Sequence, residues 1–322
     1  MKDVLFLRPR LDCTFKAGPC PIEMDKSVPL PPIRKHWDNF AENMKNVYDR
    51  PGVYNYREIE LPLWQFTPEL VNDLAPDICF IPHKQNYQFK IDEAKTTPQY
   101  YMQTVFPWLF TVDKSGWGAD SHQYKNWFTY QMGEENPEVN HFNLLKDRAN
   151  SNESKFSQPL NKFDQSGYVL FVCQIPHDEV IKYHSSVDVP TALEFTLRFC
   201  REAGKFCVVK GHPVNPGSMI ALKEIQKKYQ DVSVWVDDFS IHSLIKQSES
   251  VFLVNSGVGF EALLHEKPVY CYGQVEYDCV INKVKCLEID YLMQTYNTEV
   301  SVTNYKKFIN RFVSLCHDTT RR

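Results

Sequence analysis

The sequence predicts a two-domain α/β protein whose second half is Rossmann-like, and three observations carry that prediction. The chain has 322 residues, about twice the length of an ordinary domain. From Tyr168 onward, short apolar runs alternate with segments of helical periodicity, the pattern of βαβ crossovers and a mostly parallel sheet covered on both faces. Between the halves, "DRANSNESKFSQPLNKFDQSG" (147–167) is polar with scattered Ser, Asn, Pro and Gly, the composition of an exposed connection.

In the first half, strand-like runs occur at Val4–Leu7, Ile78–Ile81 and Phe110–Val112. The segment "TPELVNDLAPDICFIPHK" reads as a helix followed by a strand. Thr67 is suited to cap, Pro68 fits the first turn, and Pro76 ends the helix before the apolar run begins. In the second half, the strands are "YVLFVC", "KFCVVKG", "VSVWV", "SVFLV" and "PVYCYG". The intervening helices are "VPTALEFTLRFCREAG", "SMIALKEIQKKYQ", "SIHSLIKQS" and "GFEALLHE", and the terminal "NYKKFINRFVSLCHDTTRR" reads as a closing amphipathic helix. The expected division is a first domain over 1–150, a nucleotide-binding domain over 165–300, and a C-terminal helix over 301–322 packing back on the first domain.

Composition narrows the function. A formal net charge of -4, with no dense Lys/Arg run, disfavours a nucleic-acid partner. The apolar run near the N-terminus is broken by Arg8, Pro9 and Arg10 and is too short for a signal core or a membrane span. The expected compartment is the cytoplasm, with peripheral membrane association left open. The ten cysteines include no Cys-x-x-Cys pair, and Cys79, Cys173 and Cys271 sit in apolar runs, as reduced structural thiols do.

In open parallel sheets, ligands bind beyond the carboxyl ends of the strands, so the strand-end loops hold the candidate site. These loops carry Gln174 and Asp178, then Lys210, His212 and Pro213, then Asn255, Ser256, Gly257 and Gly259, and then Tyr277. A strand ending in Asn-Ser-Gly and feeding a helix places main-chain N–H groups and a hydroxyl where a phosphate is held. On this reading the glycines permit close backbone approach and Glu261, one turn in, accepts from sugar hydroxyls. The competing reading is that Ser256 caps the helix and the glycines serve tight packing. Neither a P-loop lysine nor a Gly-x-Gly-x-x-Gly fingerprint is present.

The stretches "VLFVCQIPHDEVIKYHS", "VVKGHP", "SIHSLI" and "LVNSGVGFEALLHEKPVYCYG", over roughly residues 165–280, resemble the nucleotide-binding half of the capsule polysaccharide biosynthesis glycosyltransferases of the bacterial β-Kdo transferase type. Compact glycosyltransferases of large algal viruses are a weaker resemblance. The likeness implies a GT-B fold, two Rossmann-like domains facing a cleft. It also implies a sugar nucleotide donor, CMP-Kdo-like or a UDP-sugar such as UDP-xylose, and a glycan acceptor served by the first domain. His212, Ser256, Gly257 and Glu261 would then hold the donor, with Gln174 and Asp178 matching a Gln…Asp pair of the family.

Glycosyl transfer needs stabilisation of the leaving phosphate and a carboxylate near the anomeric carbon. The loop "FTVDKSGWGADSH" resembles the family's acidic loop in outline, without its Gly-Phe-Leu-Arg continuation. It supplies Asp113 and Asp120 as candidate catalytic acids, with His83 as a second choice. Trp117, between Gly116 and Gly118, is the expected acceptor-stacking surface; Trp64, Tyr100, Tyr101 and Trp108 are expected mainly in the core. No Asp-x-Asp occurs, and Asp237 and Asp238 are adjacent, so neither metal nor cofactor is expected. Two alternatives stand beside this reading: a sugar-nucleotide epimerase or hydrolase of the same fold, and a non-catalytic subunit that binds glycan or sugar nucleotide.

Overall fold

The computed structural model describes residues 1–9, 32–61, 65–82, 93–126, 140–213 and 216–319. The chain forms two compact units, Met1–His122 with Leu315–Arg322, and Gln123–Ser314.

The first unit is built on a six-stranded sheet in the order β12-β5-β4-β3-β1-β2. Its strands are β1 (Lys2–Pro9), β2 (Tyr54–Leu61), β3 (Ile78–Pro82), β4 (Gln99–Gln103), β5 (Leu109–Asp113) and β12 (His317–Asp318). The first four pair in parallel, and β5 and β12 run antiparallel at one edge. Alternation along the buried strands sorts side chains to two faces. Val4, Phe6, Phe80, Tyr101 and Phe110 meet Trp37, Phe40, Ala41 and Met44 of α1 (Pro32–Tyr48), whose 3–4–7 spacing makes one apolar stripe. Leu5, Leu7, Cys79, Ile81 and Tyr100 face Val71 of α2 (Pro68–Leu74). The expected cap is present: Thr67 Oγ1 accepts from Leu70 N–H at 3.3 Å, and Ala75 ends the helix in the left-handed region.

The second unit holds an all-parallel six-stranded sheet in the order β11-β10-β9-β6-β7-β8. Its strands are β6 (Tyr168–Val172), β7 (Cys207–Lys210), β8 (Ser233–Val236), β9 (Ser248–Leu253), β10 (Val269–Cys271) and β11 (Asn282–Lys283). Counted from β6, this is the order 3-2-1-4-5-6 of doubly wound dinucleotide-binding sheets, with its switch point between β6 and β9. The helices, following the four-residue α3 (His122–Lys125), are α4 (His141–Asn150), α5 (Glu179–His184), α6 (Val189–Glu202), α7 (Ile220–Lys227), α8 (Ile241–Gln247), α9 (Val258–Leu264), α10 (Ile289–Thr295) and α11 (Val302–Ser314). Helices α6, α7 and α10 cover one face over Val169, Phe171, Val209 and Phe252, and α8 and α9 pack on the other. Among the described residues, no helix is long and apolar enough to cross a membrane.

The division of the chain departs from the sequence expectation in two places. The units part at His122/Gln123 and not near residue 150, because α4 packs on α9 and α11 inside the second unit. Helix α11 packs there too, with Phe308 and Phe312 against Phe260. Among the described residues beyond it, the two of β12 enter the first sheet, pairing with Leu109 and Phe110.

Candidate sugar nucleotide site

The switch point is laced by two buried amides. Gln174, just past β6, donates from Nε2 to Asn255 Oδ1 at 3.0 Å and accepts the Asn255 N–H at 2.9 Å, while Asn255 Nδ2 donates to the Val180 carbonyl at 2.8 Å. Buried amides hold position only when fully partnered, and this reciprocal pair fixes the two loops against one another. Asn255 is therefore a brace, and the atoms it presents are those of the following Ser256 and Gly257.

Ser256 Oγ accepts the Val258 N–H at 3.2 Å, the local bond of a helix-starting serine. Gly259 does not leave room for a ligand: a Cβ there would lie 2.2 Å from the Tyr277 hydroxyl oxygen and 2.6 Å from Cζ. Tyr277 is 1% exposed, and its hydroxyl donates to the Ser256 carbonyl. The close approach the sequence assigned to a phosphate at Gly259 is thus made by an aromatic ring. Tyr277, expected to touch the donor, instead clamps the Ser-Gly loop from behind. The tight-packing reading holds for Gly259.

Glu261 is 3% exposed. Burial raises its pKa from 4.5 to about 7, against the opposing hydrogen bond from Ser154 and the charge of Lys155. Oε1 has no hydrogen-bond partner among the described residues, and His242 Nε2 lies 3.7 Å from it. His242 Nδ1 and His265 Nε2 are 2.9 Å apart, and His242 Nε2 meets the Glu153 carbonyl at 2.7 Å. Burial holds the pKa of His242 down to about 4 and that of His265 to about 3, so near neutral pH the carboxyl sits beside uncharged imidazoles.

On the β7 side, Lys210 departs from its expected role. Its ammonium is buried and donates to the Asp237 carbonyl at 2.7 Å and the Gly211 carbonyl at 3.2 Å, so it ties the β7 and β8 loops together and does not reach for a phosphate. Gly211 lets the β8 loop come close: a Cβ there would lie 2.2 Å from Asp237 Oδ1 and 2.9 Å from Trp235 Cζ2. His212 is half-buried, with its ring edge-on to Phe156 at 5.9 Å; Pro213 is exposed. Asp178 is exposed and caps α5 by accepting the Val180 N–H at 3.1 Å.

Sequence reasoning missed the segment 151–163. Its polar residues read as a solvated linker, yet they are spent in bonds across the carboxyl edge of the sheet. Ser240 Oγ bonds Asn152 Oδ1, Gln158 Oε1 accepts the Ile241 N–H at 2.9 Å, and Asn161 Nδ2 donates to the carboxylate of Asp238 at 2.9 Å. The Ser240 N–H returns to the Asn161 carbonyl at 3.1 Å. A signal was present in the run of amide side chains, each with both a donor and an acceptor.

In the first unit, Asp113, Gly116, Trp117, Gly118 and Asp120 share one loop after β5. Asp113 accepts the Ser115 N–H at 2.6 Å and the His122 N–H at 2.9 Å, building the turn. Gly116 and Gly118 have φ of +137° and +56°, and a Cβ on Gly116 would meet Asp120 Cβ at 2.8 Å. Trp117 is 4% exposed and belongs to the core, so it offers no ring face to a sugar; the flanking glycines let the loop fold the indole inward. Tyr100 and Tyr101 are buried as expected. His83 and Trp64 lie outside the described residues. Among the described residues, no group of three or more His, Cys, Asp or Glu is arranged to hold a metal ion.

Comparison with known proteins bears on the family and the fold. Residues 92–280 match the family model of the capsule polysaccharide biosynthesis proteins. Over 128 residues the chain is 33% identical to the capsule polysaccharide export protein KpsS of Escherichia coli, a stretch covering 37% of this chain and 33% of that one. The match thus spans about a third of the length of that relative. In structure, the chain is similar to KpsC of Thermosulfurimonas dismutans, beta Kdo 2,7 transferase, with a TM-score of 0.57 and 17% identity over 96% of this chain and 90% of that one. A second KpsC structure from that organism, beta Kdo 2,4 transferase, matches at 0.47 and 16% identity over 79% and 83%. The likeness to the first establishes the GT-B-like α/β fold expected from the sequence, and the family match covers both the loop after β5 and the ends of strands β6 to β10. This chain belongs to the capsule polysaccharide biosynthesis family.

Proposed function

We propose that the chain is a glycosyltransferase that moves a sugar from a sugar nucleotide to a hydroxyl of a glycan acceptor without a metal ion. The observation that carries the reading is the braced switch point. The Gln174–Asn255 pair stands where a doubly wound sheet binds nucleotides, in a chain whose family makes capsule polysaccharide. The donor is CMP-Kdo-like or a UDP-sugar such as UDP-xylose; the likeness to a Kdo transferase supports the former.

In this reading, the donor phosphate sits at Ser256 and Gly257, with His212 on its other side, and Glu261 accepts from a hydroxyl of the donor. Transfer forms a bond from the acceptor oxygen to the anomeric carbon and breaks the bond from that carbon to the phosphate oxygen. The electron pair leaves with the nucleotide, and the acceptor proton passes to a carboxylate. We assign the base to Asp120, in the loop whose turn Asp113 builds by accepting two main-chain N–H groups.

The test is incubation with CMP- and UDP-linked sugars, with and without oligosaccharide acceptor, followed by product analysis. Acceptor-dependent release of nucleotide supports transfer. Conversion of the donor alone points to an epimerase or hydrolase, and binding without turnover points to a non-catalytic subunit.

A further inference from the structure

The short run Ser154-Lys155-Phe156 touches the surroundings of four strand-end loops at once. Ser154 hydrogen-bonds Glu261 at the start of α9. The Phe156 ring stands edge-on to His212 beyond β7. Lys155 carries its ammonium 5.9 Å from the Phe156 ring centre and feels the charges of Asp178 beyond β6, Glu261, and Glu276 beyond β10. The run is held in place on both sides, by the Ser240 and His242 contacts before it and by Gln158 and Asn161 after it.

Among the described residues, Lys155 makes no hydrogen bond or ion pair through its ammonium, unlike Lys210, whose ammonium donates to two carbonyls. The carboxylates around it are near enough to act on it but do not close on it. A cation ordered in this way, on a braced segment over the switch point, is suited to an oxyanion arriving from solvent.

Building on the sugar nucleotide reading above, we propose that Lys155 binds the anionic group of the donor, making segment 151–163 part of the donor site and not a linker. Burial draws the ammonium pKa below its ordinary value while Asp178, Glu261 and Glu276 oppose that. A partly desolvated ammonium gains more from an oxyanion than a solvated one does. The oxyanion has two sources, the nucleotide phosphate or a carboxylate on the sugar.

Titration calorimetry on the full chain tests this, using CMP, UDP, their nucleosides cytidine and uridine, and a CMP-linked sugar acid, against wild type, Lys155→Met and Lys155→Arg. Wild type is expected to bind at least one nucleotide. Lys155→Met is expected to weaken that binding about 10- to 100-fold, the worth of one charge-assisted hydrogen bond, with nucleoside binding unchanged and Lys155→Arg retaining most of the affinity. A loss confined to the CMP-linked sugar acid, with CMP unchanged, assigns the lysine to the sugar carboxylate and still upholds the proposal. If wild type binds and Lys155→Met binds every probe equally well, with circular dichroism showing it folded, this inference falls and the donor reading stands. If folded wild type binds none of the probes, both fall.

Discussion

Glu261→Gln is expected to stabilise the protein while weakening its ligand binding, because the native carboxyl is held where its charge is unwelcome. Its folded pKa is raised from 4.5 to about 7 by burial, so the folded state favours the protonated form. The sign follows from linkage: below pH 4.5 the group is protonated in both states and the mutation changes little. As pH rises toward 7 the unfolded state ionises freely and the folded state does not, so stability is progressively lost. Above pH 8 the full penalty is about 3 kcal/mol. Glutamine keeps the shape and the bond to Ser154 without the charge, so a gain of about 2–3 kcal/mol at pH 8.5 is expected, roughly 5–10 °C in Tm for a domain of this size. The assay is thermal unfolding of both proteins at pH 4.5, 6, 7 and 8.5, with CMP and UDP affinities measured in parallel. A variant no more stable than wild type at pH 8.5, or a difference independent of pH, would refute the placement of an ionisable carboxyl in this desolvated pocket.

The remaining predictions follow the same geometry. Because His242 and His265 are kept neutral with pKa values of about 4 and about 3, their depressed values favour the folded state above pH about 6.5, and stability falls as acid protonates the unfolded chain. The opposing slope of Glu261 partly masks this, so the acid limb should be steeper in Glu261→Gln than in wild type when unfolding is followed by urea titration at each pH. Gly259→Ala forces a Cβ against the Tyr277 hydroxyl and ring, an overpacking expected to cost about 1–3 kcal/mol; adding Tyr277→Phe should return part of it, and an unchanged Tm for the single variant would count against the clamp. Asp113→Asn is expected to lower Tm, because it replaces a carboxylate oxygen that accepts a main-chain N–H with an amide donor. Asp120→Asn should abolish turnover with donor affinity preserved, and full turnover in the Asp120 variant would overturn its assignment as base.

Much of the second unit was legible because its strands are buried on both faces and therefore read as unbroken apolar runs separated by helical periods. The strand-end loops followed from the alternation of strands and helices, since the loops after the strands lie at one edge of a parallel sheet. The first unit was harder. Strand β2, "YNYREIEL", is an edge strand whose alternation is broken by the adjacent Arg57 and Glu58, and β11 and β12 are two residues each, too short to show a period. The boundary was misplaced because polarity marks residues that make hydrogen bonds without saying to whom. In 151–163 the partners include the β8 loop and α8. Trp117 failed in the same way, since flanking glycines suggest an exposed tip but equally allow a loop to turn its ring inward. Gly259 and Tyr277 lie 18 residues apart, and nothing in a single sequence shows that they touch; Glu261, by contrast, stands out as a candidate from its position one turn into the helix after Ser256-Gly257.

The central claim is that a sugar nucleotide binds over the switch point of the second sheet. Hydrogen–deuterium exchange of the full chain, with and without saturating CMP or UDP, tests it most directly, since ligand bound to the folded state slows exchange where it sits. The account predicts that one of the two nucleotides protects the main-chain amides of 154–156, 174–180 and 255–261. Protection confined to other segments, or none with either nucleotide at millimolar concentration, would contradict it.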